Sequence, residues 1–179
     1  MNGKGRLVLV FVLGCVFAVL AAMGTVFAYF QWGHPPVATA DTPFPFEKQI
    51  VHVPMNARID REMEKPPFAV SEAVMLDGAM VYKDKCSMCH GVPGQDVDYA
   101  KYMYPVAPQL FKKHAHGDVV GVSDDEAGET YWKVKNGLRL TGMPAFEHVL
   151  TNEEMWDVSL LLKNADQPLS AAVKGTLTK

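Results

Sequence analysis

The sequence predicts an all-α protein in which one membrane-spanning helix is followed by a proline-rich tether and a small helical domain. Three observations lead there. Residues 7–30, LVLVFVLGCVFAVLAAMGTVFAYF, carry no charge. Beyond Ser71, apolar residues recur at helical spacing between capping signals. No run of alternating apolar and polar residues is long enough to argue for a sheet.

The 24 apolar positions make a helix of about 36 Å, enough to cross the roughly 30 Å hydrocarbon core of a bilayer with some tilt. Lys4 and Arg6 precede the run, and the next cation is Lys48. The excess of positive charge therefore places the N-terminus inside and residues 33–179 outside, with Tyr29 and Trp32 at the outer interface. Two processing signals compete with an uncleaved anchor over residues 1–31. VLGC, ending at Cys15, is similar to a lipoprotein site, and ATA at 38–40 to a signal-peptidase site. The apolar run continues past Cys15, and it is longer than the 7–15 residues of a removable signal.

Residues 32–70 read as a tether. Seven of the chain's 12 prolines fall within it: Pro35, Pro36, Pro43, Pro45, Pro54, Pro66 and Pro67. Proline disfavours continuous helix and keeps its predecessor extended, so a disordered tether of this length would span roughly 35 Å. Within it, Asn56–Lys65 has the composition of a short helix, and the apolar FPFEKQIVHV before it is suited to docking on a neighbour.

The compact domain is expected over residues 71–166, with 167–179 as a C-terminal tail. Its first helix starts at Ser71 as N-cap and runs to about Lys83, with Val74, Gly78 and Tyr82 on one stripe. Gly78 is unfavourable inside a helix and implies a packing reason. Ser123 and Glu126 have capping-box spacing before Ala127, Tyr131 and Val134, and Asn136-Gly137 is a stop. Thr151 and Glu154 repeat the box before Met155, Val158 and Leu162.

Between the first two of these helices, Lys83–Val92 reads KDKCSMCHGV, placing Cys86, Cys89 and His90 within five positions. A redox disulfide belongs to a strand–helix setting that the sequence does not offer. A zinc site needs four ligands, yet Cys15 lies in the span and His114 and His116 are too close together for the usual pairing. Cys-x-x-Cys-His suits haem, since two thiols three apart can each form a thioether with one porphyrin while the next residue offers its imidazole to iron. Such covalent attachment also staples a small core.

At these residues the chain resembles the class I c-type cytochromes, in the bacterial group related to the cytochrome c subunits of oxidases, over roughly residues 71–165. The resemblance rests on GAMVYKDKC, where Gly78 and Tyr82 precede Cys86 at steps of four, on APQL at 107–110, and on TGMPAF at 141–146. It implies one covalent haem c bound through Cys86 and Cys89. His90 would be the proximal iron ligand, its second ring nitrogen bonded to the Pro108 carbonyl, and Met143 the distal one. Gly78 would let the last helix approach closely. A soft thioether at Met143 favours ferrous iron, and Pro144 stiffens its loop. Met103, His114 and His116 remain alternative sixth ligands. Tyr131 and Trp132 read as core or haem border, Arg139 as a propionate partner or an exposed cation, and His148 as solvated.

With both axial positions filled, the expected function is electron transfer and not catalysis. The partners would be membrane redox complexes as donor and acceptor, together with the lipid bilayer, and the domain would lie on the periplasmic side of a bacterial inner membrane. All 20 acidic side chains lie beyond the span, against 15 of the 17 basic ones, leaving that part at −5. A uniformly basic docking face is thus disfavoured, although Lys112-Lys113 and Lys133 with Lys135 offer local patches. No phosphate-binding loop, nucleic-acid patch or small-molecule substrate site is apparent. Alternatives to a freestanding carrier are a fixed haem subunit of a larger oxidoreductase complex and a haem enzyme or sensor with an open sixth site.

Overall fold

A computed structural model describes residues 3–178. Among them the chain forms seven α-helices, one 3-10 turn and no strand, in two compact units that meet between Phe44 and Pro45.

The first unit is α1, Gly3–Trp32, with the segment after it. No residue of α1 is buried, and the helix is long and apolar enough to cross a membrane. Thr25 satisfies its hydroxyl on the Ala21 carbonyl at 2.9 Å. Trp32 meets Phe27 edge to face, and Tyr29 leans on Phe44. Asp41 closes the following turn by accepting from the Val37 and Ala38 amides, each at 2.8 Å.

The second unit begins with a departure from the expected tether. Glu47–Glu62 forms one helix, α2, running through Pro54. Proline removes a single backbone donor, and docking compensates for it. Ile59 is buried, and Arg58 pairs with Glu62 one turn on, at 2.9 and 3.0 Å. Glu62 also accepts from the Trp132 indole at 2.9 Å. Just beyond, the Glu64 carbonyl rests so close to Gly128 that a Cβ there would lie 2.1 Å away. Composition alone could not reveal these contacts across about 70 residues.

α3, Glu72–Lys85, starts at Ser71, whose hydroxyl accepts from the Val74 amide at 3.3 Å. The short α4, Ser87–His90, follows directly, and a 3-10 turn covers Asp98–Tyr102. α5 spans Ala127–Asn136. The expected capping box at Ser123 does not form. Glu126 is the N-cap, with no side-chain bond, and the Ser123 hydroxyl accepts from the Val120 amide at 3.1 Å. Gly121 is responsible: at φ 57° it packs on the Leu110 backbone and turns the chain before the helix can begin.

α6, Asn152–Lys163, carries the expected box: Glu154 N–H to Thr151 Oγ1 at 3.2 Å and Thr151 N–H to the Glu154 carboxylate at 2.7 Å. It is the centre of the core. Trp156 stacks on Tyr131 of α5 with ring centroids 4.0 Å apart, and α3 crosses α6 at Gly78, where a Cβ would lie 2.4 Å from the Asp157 carbonyl oxygen. The segment expected to be a tail forms α7, Ala171–Thr178. It packs against α3 with Val173 and Leu177 buried, and Ser170 bonds Glu72 at 2.5 Å. Eight residues containing Gly175 are too few to announce that helix by periodicity.

Candidate functional site

Cys86, Cys89 and His90 sit together where α3 ends and α4 turns away. The Cys86 amide closes α3 on the Tyr82 carbonyl at 2.9 Å. The amides of Cys89 and His90 both return to the Cys86 carbonyl, at 3.1 and 3.0 Å, so all three side chains issue from one turn. Burial, with smaller contributions from Cys89 and Asp84, pushes the Cys86 thiol up to about 12.

The His90 Nδ1–H donates to the Pro108 carbonyl at 2.7 Å, and the Leu110 amide returns to the His90 carbonyl at 3.1 Å. Chain segments 18 residues apart are thereby clamped. With Nδ1 engaged, Nε2 is the nitrogen left with a lone pair for a metal. Burial lowers the proton affinity of the imidazole, partly opposed by the Pro108 carbonyl, and so favours the neutral ring that a ligand must be.

Two residues complete this clamp that the motifs did not assign to it. The buried Tyr82 hydroxyl donates to the carbonyls of Gly91, at 2.8 Å, and His90, at 3.1 Å. Gln109, between Pro108 and Leu110, donates from Nε2 to the Cys89 carbonyl at 3.1 Å and accepts the Val97 amide at 2.8 Å. Gly91 stands at φ 71°, where an added Cβ would meet Gln109 Oε1 at 2.5 Å. Only the identity of the middle residue in APQL signalled Gln109. Tyr82 lies on the helix-packing stripe, and its hydroxyl does a second job. Tyr99 adds a bond from its hydroxyl to the Met88 carbonyl.

Met143 lies elsewhere in sequence, in the loop leaving α5. Gly137, at φ 66°, starts the loop in a space where a Cβ would lie 2.6 Å from the Ala145 amide nitrogen. Leu138 N–H reaches the Met143 carbonyl at 3.2 Å, and Phe146 N–H returns to Val134 in α5 at 3.0 Å. The Thr141 hydroxyl donates to the Leu138 carbonyl at 2.7 Å and accepts the Met143 amide at 3.0 Å. Met143 is half-buried and packs on the core. The Met103 methyl borders Gly142, 2.9 Å from where a Cβ would stand.

The remaining candidates fall into two groups. His114, His116, His148 and Arg139 are exposed. Tyr131 and Trp132 are buried, one against Trp156 and the other against α2, as core residues.

The donor set fits a haem c. It offers two thiols and an oriented imidazole on one turn, with a soft thioether on a separately anchored loop. Residues 73–160 match the family described as cytochrome c oxidase, cbb3-type, subunit III. No curated protein matches the chain.

Proposed function

Because residues 73–160 constitute an oxidase-type class I c-type cytochrome domain, we propose that this chain is a membrane-anchored electron carrier that holds one covalent haem c and passes single electrons between membrane redox complexes. The observation that carries the reading is the His90 Nδ1–H bond to the Pro108 carbonyl, one residue from the Cys-x-x-Cys pair. It orients the imidazole so that the Nε2 lone pair is left to face a metal.

A haem c supplies a one-electron iron centre. Cys86 and Cys89 would hold it through thioethers, His90 Nε2 would bind the iron, and the Pro108 carbonyl would fix the ring and raise its basicity. Met143 would offer its thioether sulfur to the iron and favour the ferrous state. Tyr82, Gln109 and Thr141 keep these segments in place, so one charge can enter or leave with little rearrangement. α1 would anchor the protein in the bacterial inner membrane, with the domain on the periplasmic side. The family's description as an oxidase subunit favours a second reading, a fixed haem subunit of a larger complex. Stoichiometric co-purification after mild detergent extraction would support the subunit and exclude the freestanding carrier.

The test of the haem reading uses Met143→Ala in the full-length protein. The expected outcome is loss of the weak sulfur-to-iron charge-transfer band of the oxidised form, carbon monoxide binding by the reduced form, and a lower potential. The same changes in Met103→Ala with none in Met143→Ala would refute the distal assignment. Haem content unchanged in Cys86→Ala with Cys89→Ala would refute covalent attachment.

A further inference from the structure

We propose that α2 is an interfacial helix whose outward apolar stripe seats in the surface layer of the bilayer that α1 crosses. The proposal rests on the reading of α1 as a membrane anchor.

α2 has two faces. Met55, Ile59 and Glu62, four and three residues apart, occupy the side turned to α5, where Ile59 is buried and Glu62 accepts the Trp132 indole N–H at 2.9 Å. About half a turn around the helix, Phe46, Ile50, Val53 and Ala57 form a second row at spacings of four, three and four. The domain does not cover its large members: Phe46 is 73% exposed, Ile50 65% and Val53 70%. Phe46 is also the N-cap, held at φ 62° with no side-chain cap bond. A non-glycine residue in the left-handed region costs energy, and such strain tends to be kept where the displayed side chain has a use. From Asn56 onward, apart from the small Ala57, the outward positions turn polar, with Asn56, Asp60 and Arg61. The apolar stripe therefore belongs to the N-terminal half of the helix.

Chain continuity identifies the occupant. α1 ends at Trp32 and α2 begins at Glu47. Residues 33–46 reach at most about 50 Å fully extended, and average about 20 Å as a flexible coil. The apolar end of α2 is thus the part of its unit tied most closely to the anchor. Glu47 and Lys48 in the first turn of α2 offset each other in charge, so insertion would be apolar in origin and only weakly dependent on anionic lipid. Seated in this way, α2 would hold the domain at the membrane surface and restrict its exchange partners to redox complexes of the same membrane.

The test uses the full-length, haem-loaded protein carrying Cys15→Ala in phosphatidylcholine vesicles. A nitroxide is attached at one introduced cysteine: Ala21→Cys, Ile50→Cys, Val53→Cys or Asp60→Cys. Collision with oxygen, which concentrates in lipid, is compared with collision with a water-soluble nickel chelate. Oxygen should dominate strongly at 21 and more weakly at 50 and 53, and the chelate should dominate at 60. Chelate dominance at 50 and 53 with 21 still in lipid would overturn the inference and leave the anchor intact. Chelate dominance at 21 as well would overturn the anchor reading itself. Shielding of 50 and 53 from both reagents would show a protein partner on the stripe and refute the bilayer as its occupant.

Discussion

Replacing Gly78 by alanine tests the helix crossing on which the domain is built. The added Cβ would stand 2.4 Å from the Asp157 carbonyl oxygen and 3.1 Å from Leu161 Cβ. Ordinary contact needs roughly 1 Å more at the first of these, and the obstacle is backbone, which cannot swing aside as a side chain would. α6 would have to move as a body, carrying the fully buried Trp156 and Leu161. Overpacking of this kind costs about 1–3 kcal/mol. Against it stands a helix-propensity gain of about 1 kcal/mol for glycine to alanine. A rigid backbone obstacle places the overpacking at the upper end, for a net loss of about 1–2 kcal/mol. At about 5 °C per kcal/mol for a domain of this size, Tm should fall by about 5–10 °C. Thermal unfolding of the full-length protein in detergent, followed by far-ultraviolet circular dichroism with α1 as a constant background, reads this directly. A Tm equal to or above the parent's would mean that propensity wins, and α3 and α6 could not then cross at Gly78.

Three further outcomes follow from the packing. Tyr82→Phe removes the donor shared by the His90 and Gly91 carbonyls, and should cost about 1–2 kcal/mol in denaturant unfolding while lowering haem retention after mild heating. Leu177→Ala opens a cavity under α7 where the side chain is wholly buried, and should cost about 2–4 kcal/mol; a loss below about 0.5 kcal/mol would show α7 to be undocked. Asp157→Asn should act through pH. Burial, and then Asp77, Glu153 and Glu154, raises the Asp157 carboxyl to about 6, so the folded state prefers it protonated. Its stability is complete below about pH 4 and falls as pH rises through 4–6. The asparagine variant should therefore match the parent near pH 4 and exceed it by about 1 kcal/mol at pH 7, after allowance for solvent screening.

What could be read from the sequence was local chemistry. Ser71, and Thr151 with Glu154, cap their helices as spacing predicts because the donor and acceptor lie within one turn of each other. Gly78 signalled a close approach because nothing else justifies glycine inside a helix. The imidazole-to-Pro108 bond matches the expectation drawn from APQL. The departures have a common cause in contacts between distant segments. α2 runs through Pro54 because Trp132 and the α5 surface receive it. Ser123 gives up its capping role because Gly121 folds back on Leu110. α7 forms over eight residues because α3 covers Val173 and Leu177. In each case local propensity pointed one way and burial decided the other.

Packing on one shared helix lets a small domain hold two candidate ligand segments that lie far apart in sequence. Cys86 and His90 leave the end of α3, and Met143 leaves a loop tied back to α5 by the Phe146 N–H bond to Val134. α3 and α5 each rest on α6, one at Gly78 against Asp157 and the other through the Tyr131–Trp156 stack. α6 is therefore the common reference for both segments, and the rigidity that the proposed electron transfer would require comes from a helix that carries none of the candidate ligands. A side chain deep in α6, such as Leu161, stands behind the α3 crossing and is wholly buried. Loosening it would shift both segments relative to each other before either ligand were touched.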